Sequence, residues 1–235
     1  MRITSVTTHD LRAPTSRTLA GSDAAHADPD YSAAYAVLHT DGDVQGEGMT
    51  FTIGRGNDLV CDAIDALAHH VIGRDLDDLV GDMAGTWRAI TSDSQLRWLG
   101  PEKGVIHLAT ASLVNALWDL WAKREGKPVW QLVCDMTPEH LVSCIDFRYL
   151  TDVLTREQAL AILEQGQEGK AERIARLKTP GGGVPAYTTT PGWLGYPTEK
   201  VVRLAREAVE QGYSQIKLKV GNDLEDDRSR LRAAR

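Results

Sequence analysis

Apolar residues recur along this chain with two different periods, and the change from one to the other marks out its parts. Arg2 to Leu11 suggests a strand, Ser32 to Thr40 alternates between apolar and polar positions, and Asp41-Gly42 supplies a hairpin turn before Val44 to Ile53 returns. These segments predict a small antiparallel meander. Between its first two strands lies Arg12 to Tyr31, a long loop rich in Ala, Asp, Pro and Ser; loops of that length are usually functional or disordered. The period then lengthens. Asp58 to Ile72 places Val60, Ile64, Leu67 and Val71 on one helical stripe, and Asp75 to Ile90 predicts a less regular helix containing Gly81 and Gly85. Val105 to Arg124 is the strongest helix. Ile106, Ala109, Leu113, Leu117 and Leu120 form its stripe and Trp118 and Trp121 widen it, so it should be buried on most sides. Gly126 and Pro128 end it and open a shorter segment through Val133. A polar helix is predicted over Thr155 to Leu177, and Thr179-Pro180-Gly181-Gly182-Gly183 breaks the chain.

Beyond that break the order becomes strand, helix, strand. Pro185 to Thr190 reads as a strand, Thr198 to Gln211 as a helix with Val201, Ala205, Ala208 and Val209 at helical spacing and a stop at Gly212, and Gln215 to Val220 as a second strand. Such an order implies a parallel βαβ unit. On the second strand Ile216, Leu218 and Val220 share one face, and Gln215, Lys217 and Lys219 the other. Parallel sheets are normally covered on both faces, so two ammonium groups there need a polar cavity. A β/α barrel offers one at the C-terminal ends of its strands, where active sites are built. The plain alternative is that both amines snorkel to solvent.

Composition narrows the functional classes. With 235 residues the chain can hold one large domain or two smaller ones, and 42% hydrophobic content marks a globular protein. Its net charge is -7 and no basic cluster is interleaved with aromatics, which argues against nucleic acid or an anionic membrane as the main partner. A small-molecule partner fits better. Cys61, Cys134 and Cys144 match neither a disulfide framework nor a zinc knuckle and read as reduced cysteines. The polar start lacks the features of a secretory signal, and no segment is expected to span a bilayer. The expected location is therefore cytoplasmic, with a mitochondrial location as the alternative.

Other residue pairs are assigned structural roles. His69 and His70 should face different directions on a helix and cap its end rather than share a metal. His9-Asp10 points to opposite faces of a strand, and Gly46-Glu47-Gly48 and Gly54-Arg55-Gly56 read as turns. Trp193 and Tyr196 either line a pocket mouth or pack on a rim. Neither Gly-x-Ser-x-Gly nor His-Glu-x-x-His occurs, which removes the commonest hydrolase readings.

Several segments, taken in order, carry a family resemblance. They are PTS at Pro14 to Ser16, GSDA at Gly21 to Ala24, DPDYSAAY at Asp28 to Tyr35, and FTIGRGND at Phe51 to Asp58. SQLRWLGPEKGV at Ser94 to Val105, IDFRYLTD at Ile145 to Asp152, AYTTTPGWLGY at Ala186 to Tyr196 and IKLKVG at Ile216 to Gly221 continue the series. Together they resemble the enolase superfamily, and in detail its L-fuconate dehydratase group, over essentially the whole chain. The resemblance implies an α+β capping domain followed by the start of a (β/α) barrel. Residues 1–150 would form the enolase-like capping domain and residues 151–235 a linker helix and the first strands of a truncated barrel.

The chemistry implied by the resemblance is removal of the proton α to a sugar-acid carboxylate, giving an enediolate held by Mg²⁺, then loss of the neighbouring hydroxyl to form a 2-keto-3-deoxy acid. By position Lys219 matches the family base and Lys217 its partner, the latter also contacting substrate. An amine is a base only when unprotonated, and neighbouring positive charge favours that form. Gly21, Ser22, Asp23 and Tyr31 match the loop that closes over the substrate and reads its hydroxyls. The departure lies in the barrel, which when complete takes on the order of 250 residues. The carboxylates that hold Mg²⁺ and the His-Asp acid belong to later strands, so the expected metal ligands lie beyond Arg235 and this chain alone is expected to be inactive. Two alternatives stand beside this reading: a related acid-sugar dehydratase or racemase, and a truncated protein that binds without catalysis. Homo-oligomerisation stays open.

Overall fold

The computed structural model describes residues 1–100 and 102–235. Contacts divide the chain into two compact units, one comprising Met1–Leu11 with Ser32–Lys170, the other Arg12–Tyr31 with Ala171–Arg235. The long early loop thus groups with the C-terminal stretch, whereas chain order alone assigned it to residues 1–150.

In the first unit β1 (Ile3–Arg12), β2 (Ser32–Thr40) and β3 (Gly46–Thr52) form one sheet in that order. β2 and β3 pair antiparallel from Ser32 opposite Thr52 to Leu38 opposite Gly46. Ser32, Ala34, Ala36 and Leu38 are buried along β2, as the alternation requires. Against this sheet packs α4 (Val105–Arg124), whose Ile106, Ala109, Leu113, Leu117 and Leu120 lie in the core. By length and composition this helix could cross a membrane, contrary to the sequence expectation, but its apolar stripe is spent on the core.

The close approach of α4 explains a motif that the sequence suggested to be a turn. Gly46 and Gly48 lie within β3, and a Cβ at Gly48 would fall 2.1 Å from the Ser112 carbonyl oxygen. One at Gly46 would fall 2.3 Å from that of Ala116. Hydrogen occupies the space that a methyl group cannot. The Ser112 hydroxyl donates to the Ala34 carbonyl at 2.8 Å, and Asn115 Nδ2 donates to that of Met49 at 3.1 Å.

The helix α1 (Asn57–Leu67) starts at Gly56, whose φ of +89° suits the expected turn. It ends sooner than predicted and passes into a 3-10 turn at Ala68–His70. The segment predicted as one helix from Asp75 is two, α2 (Leu76–Gly81) and α3 (Met83–Thr91), parted by Asp82, which accepts from the Gly85 amide at 2.9 Å. α5 (Val129–Asp135) was expected and α6 (Pro138–Ser143) was not. The polar helix is also two pieces, α7 (Arg156–Gln165), with a capping box between Thr155 and Gln158, and α8 (Lys170–Leu177).

In the second unit the strand-helix-strand order survives with much less strand than predicted. A single parallel bridge joins Thr188 and Ile216. The Thr188 amide donates to the Gln215 carbonyl at 3.2 Å and the Lys217 amide to the Thr188 carbonyl at 2.9 Å. Two parallel segments without a third beside them among the described residues form few ladder bonds. Between them α9 (Thr198–Glu210) buries Val201, Ala205 and Ala208 and leaves Val209 exposed. α10 (Leu224–Ala234), which apolar periodicity does not reveal, is capped by Asp223, which accepts from the Asp226 amide at 2.8 Å.

Candidate functional site

The backbone around the parallel bridge sets the positions of the two lysines. The Lys219 amide donates to the Gly192 carbonyl at 2.8 Å. The Lys219 carbonyl in turn accepts from Arg230 Nη1 at 3.1 Å, and Arg230 Nη2 donates to the Trp193 carbonyl at 2.8 Å. A guanidinium offers a rigid fan of donors, so one buried side chain on α10 ties the ends of both extended segments together. Sequence reasoning missed Arg230 because nothing in a charged helix shows which arginine turns inward.

The side chains diverge in setting. Lys219 Nζ lies 3.5 Å from Asp23 Oδ2 and 5.8 Å from the centroid of Trp193. Lys217 is exposed, with Nζ 5.3 Å from the centroid of Tyr187. Lys219 therefore meets the early loop, and Lys217 stands over a different ring.

The loop residues are held by short-range geometry. Asp23 Oδ1 accepts from the amides of Ala25 at 3.0 Å and His26 at 2.8 Å. The His26 amide, aided by that of Ala25 and by the His26 ring and opposed by burial, holds the Asp23 carboxyl below its ordinary range. Ser22 is buried, its hydroxyl donating to the Leu19 carbonyl at 2.7 Å and accepting from the Gly195 amide at 2.9 Å. That hydroxyl is committed to joining the loop to the segment after the first bridge residue. The Tyr31 hydroxyl donates to the Gly21 carbonyl at 3.2 Å, and Gly21, with φ of +88°, has no room for a Cβ against the Tyr31 ring. Asp23, Trp193 and Lys219 are thus brought together, whereas Gly21, Ser22 and Tyr31 shape the loop around Asp23. Tyr196 is buried with Lys200 Nζ 3.4 Å from its ring centroid, which makes it a packing residue.

These residues do not make a Mg²⁺ site, which requires convergent oxygen ligands. Asp23 is engaged by amides and by Lys219. One group of metal-ligating side chains converges among the described residues, His69, His70 and Asp93, and it lies in the first unit. The expectation that the two histidines diverge is corrected here. They sit on the 3-10 turn, their ring centroids are 4.1 Å apart, and both approach Asp93.

Residues 24–134 match the family model of the mandelate racemase / muconate lactonizing enzyme N-terminal domain. The human protein named mitochondrial enolase superfamily member 1 is 55% identical over 236 residues, covering 100% of this chain and 53% of that protein. Its crystal structure matches with a TM-score of 0.94 at 54% identity, covering 99% of this chain and 53% of that one. An L-galactonate dehydratase from Hypocrea jecorina is 55% identical over 233 residues, covering 99% of this chain and 52% of that protein. The structure of L-talarate dehydratase from Polaromonas sp. JS666, complexed with Mg and L-glucarate, shares the fold at a TM-score of 0.60 and 21% identity, covering 99% of this chain and 48% of that one. The chain spans about half the length of the curated relatives it matches. Residues 24–134 thus correspond to the mandelate racemase / muconate lactonizing enzyme N-terminal domain, and nearly the whole chain is similar in sequence and fold to a protein named as an enolase superfamily member.

Proposed function

We propose that this chain contributes the base and part of the substrate-reading loop of an acid-sugar dehydratase of the L-fuconate kind. The observation that carries this reading is the meeting of Lys219 with Asp23 beside Trp193, at the end of the second extended segment. Similarity to an L-galactonate dehydratase over nearly the whole chain supports the reaction class.

In this mechanism the Lys219 amine takes the proton from the carbon α to the substrate carboxylate, and the C–H electron pair moves into that carboxylate. The pair then returns to form a carbon–carbon double bond and expel the β-hydroxyl, which leaves as water after gaining a proton. The resulting enol tautomerises to the 2-keto-3-deoxy acid. Lys217 contributes positive charge toward the substrate carboxylate. Asp23 accepts a hydrogen bond from a substrate hydroxyl once substrate parts it from Lys219, while Gly21, Ser22 and Tyr31 hold the loop that carries it. Mg²⁺, as bound by the L-talarate dehydratase, would require ligands other than those described here. The mitochondrial name of the human relative supports a mitochondrial setting over a cytoplasmic one.

A second substrate reading is favoured by the Hypocrea relative. L-Fuconate is the 6-deoxy form of L-galactonate, so the two acids present the same α and β carbons and differ at C6. Incubation of a protein that joins this whole sequence to a metal-binding barrel domain with both acids in deuterium oxide tests the reading. Keto-acid formation with α-proton exchange that disappears in Lys219→Ala is expected; normal exchange in that variant overturns the assignment.

A further inference from the structure

His69, His70 and Asp93 take no part in the chemistry proposed above, yet their ligand atoms lie within 4.8 Å of one another. His70 Nε2 is 3.0 Å and His69 Nε2 is 3.4 Å from the same oxygen, Asp93 Oδ2. We propose that these residues form a binding site for a divalent transition-metal ion of the zinc type.

The spacing suits a metal centre. Bonds of about 2.0–2.1 Å to a tetrahedral ion put neighbouring ligand atoms roughly 3.3 Å apart, close to both observed separations. The two imidazole nitrogens lie within 4.8 Å of each other, and an inward shift of the rings would complete the coordination. Two imidazoles and one carboxylate also form a donor set that suits zinc and its first-row neighbours, whereas Mg²⁺ prefers oxygen throughout.

Ring orientation supplies an independent reason. His69 Nδ1 lies 2.9 Å from the Ala66 carbonyl, which can only accept, so Nδ1 carries a proton. In the neutral ring Nε2 then presents a lone pair toward Asp93 Oδ2, and two electron-rich atoms face each other at 3.4 Å. A cation between them turns that repulsion into coordination, and the Nδ1–carbonyl bond is the outer support usual for a metal-bound histidine. Asp93 is held in turn by the Gln95 amide, which donates to Oδ1 at 2.9 Å and leaves Oδ2 for the histidines. The cluster opens on a cleft of about 550 Å³ lined also by Ser92, Ser94 and Gln95, which leaves room for a water or small ligand in the fourth position.

The alternative is a hydrogen-bonded His-Asp cluster stabilised by protonation alone, and metal titration separates the two. Untagged chain is titrated with Zn²⁺ in excess Mg²⁺ by calorimetry, and with Co²⁺ by visible absorption, which reads the coordination geometry. One saturable ion per chain and the intense bands of low-coordinate Co²⁺ are expected. Cys134→Ser should leave both unchanged, since that exposed thiol is the obvious competing ligand. His69→Ala removes a side chain that is 61% exposed and so spares the fold; it should weaken binding by at least about tenfold, the loss that even outer-shell partners produce. His70→Gln should do the same, with a thermal melt confirming that the variant is folded. Absence of a saturable site in the parent chain, or unchanged affinity in His69→Ala, overturns the proposal.

Discussion

Asp23 and Lys219 show how a weak pair can be useful. Their side chains are 24% and 28% exposed, and an ion pair so open to water contributes about 0–1 kcal/mol. In the proposed mechanism, substrate therefore parts it at little cost. In a protein that completes the site, Lys219→Ala should abolish solvent exchange of the substrate α-proton, whereas Lys217→Ala should slow turnover while leaving measurable exchange; deuterium incorporation followed by NMR distinguishes them. Asp23→Ala should lower kcat/KM for the preferred acid far more than for a stereoisomer that never used the contact, by about 1–3 kcal/mol if a buried hydroxyl loses its partner. Equal losses across a panel of acids would show that Asp23 does not read stereochemistry.

Helix and strand meet most tightly where α4 crosses β3. Gly48→Ala would drive a methyl group into the Ser112 carbonyl and the Ala116 amide, the latter 2.4 Å from the added carbon. The strain should cost roughly 1–3 kcal/mol or more, visible as a lower Tm in calorimetry. Between α3 and the 3-10 turn Phe147–Tyr149, Arg88 Nη2 donates to Asp146 Oδ1 at 3.0 Å. Burial acts to raise the Asp146 carboxyl, but Arg88 and the Arg148 amide outweigh it and hold the group below its ordinary range. Because the folded-state value is depressed, this stabilisation is present above the unfolded carboxyl value, about 3.9, and is lost as pH falls through the folded one. Asp146→Asn should accordingly lower stability near neutral pH and flatten its decline at acid pH, as urea melts across that range would show.

For the whole chain, the described residues set no convergent oxygen ligands beside Lys219, the proposed base, so titration with Mg²⁺ should show no saturable tight binding, and sugar acids should not be dehydrated by this chain alone. Calorimetry and a keto-acid assay check both. Periodicity by itself determined the sheet, α1, α4 and α9, because one buried face repeats every two residues in a strand and every three to four in a helix. It also placed Lys217 and Lys219 after a helix on an extended segment, though the strand predicted there is reduced to one bridge at Ile216, and the matched segments carried the superfamily resemblance. Although the predicted strand Val44 to Ile53 contained Gly46 and Gly48, it could not show why glycine is required there, since only the facing helix explains why a side chain is excluded. Nor could it find Arg230, the pairing of Asp23 with Lys219, or the shared approach of His69 and His70 to Asp93. These depend on distances between residues far apart in the chain, which tertiary packing alone decides, and on a local change from α to 3-10 geometry that redirected two rings expected to diverge.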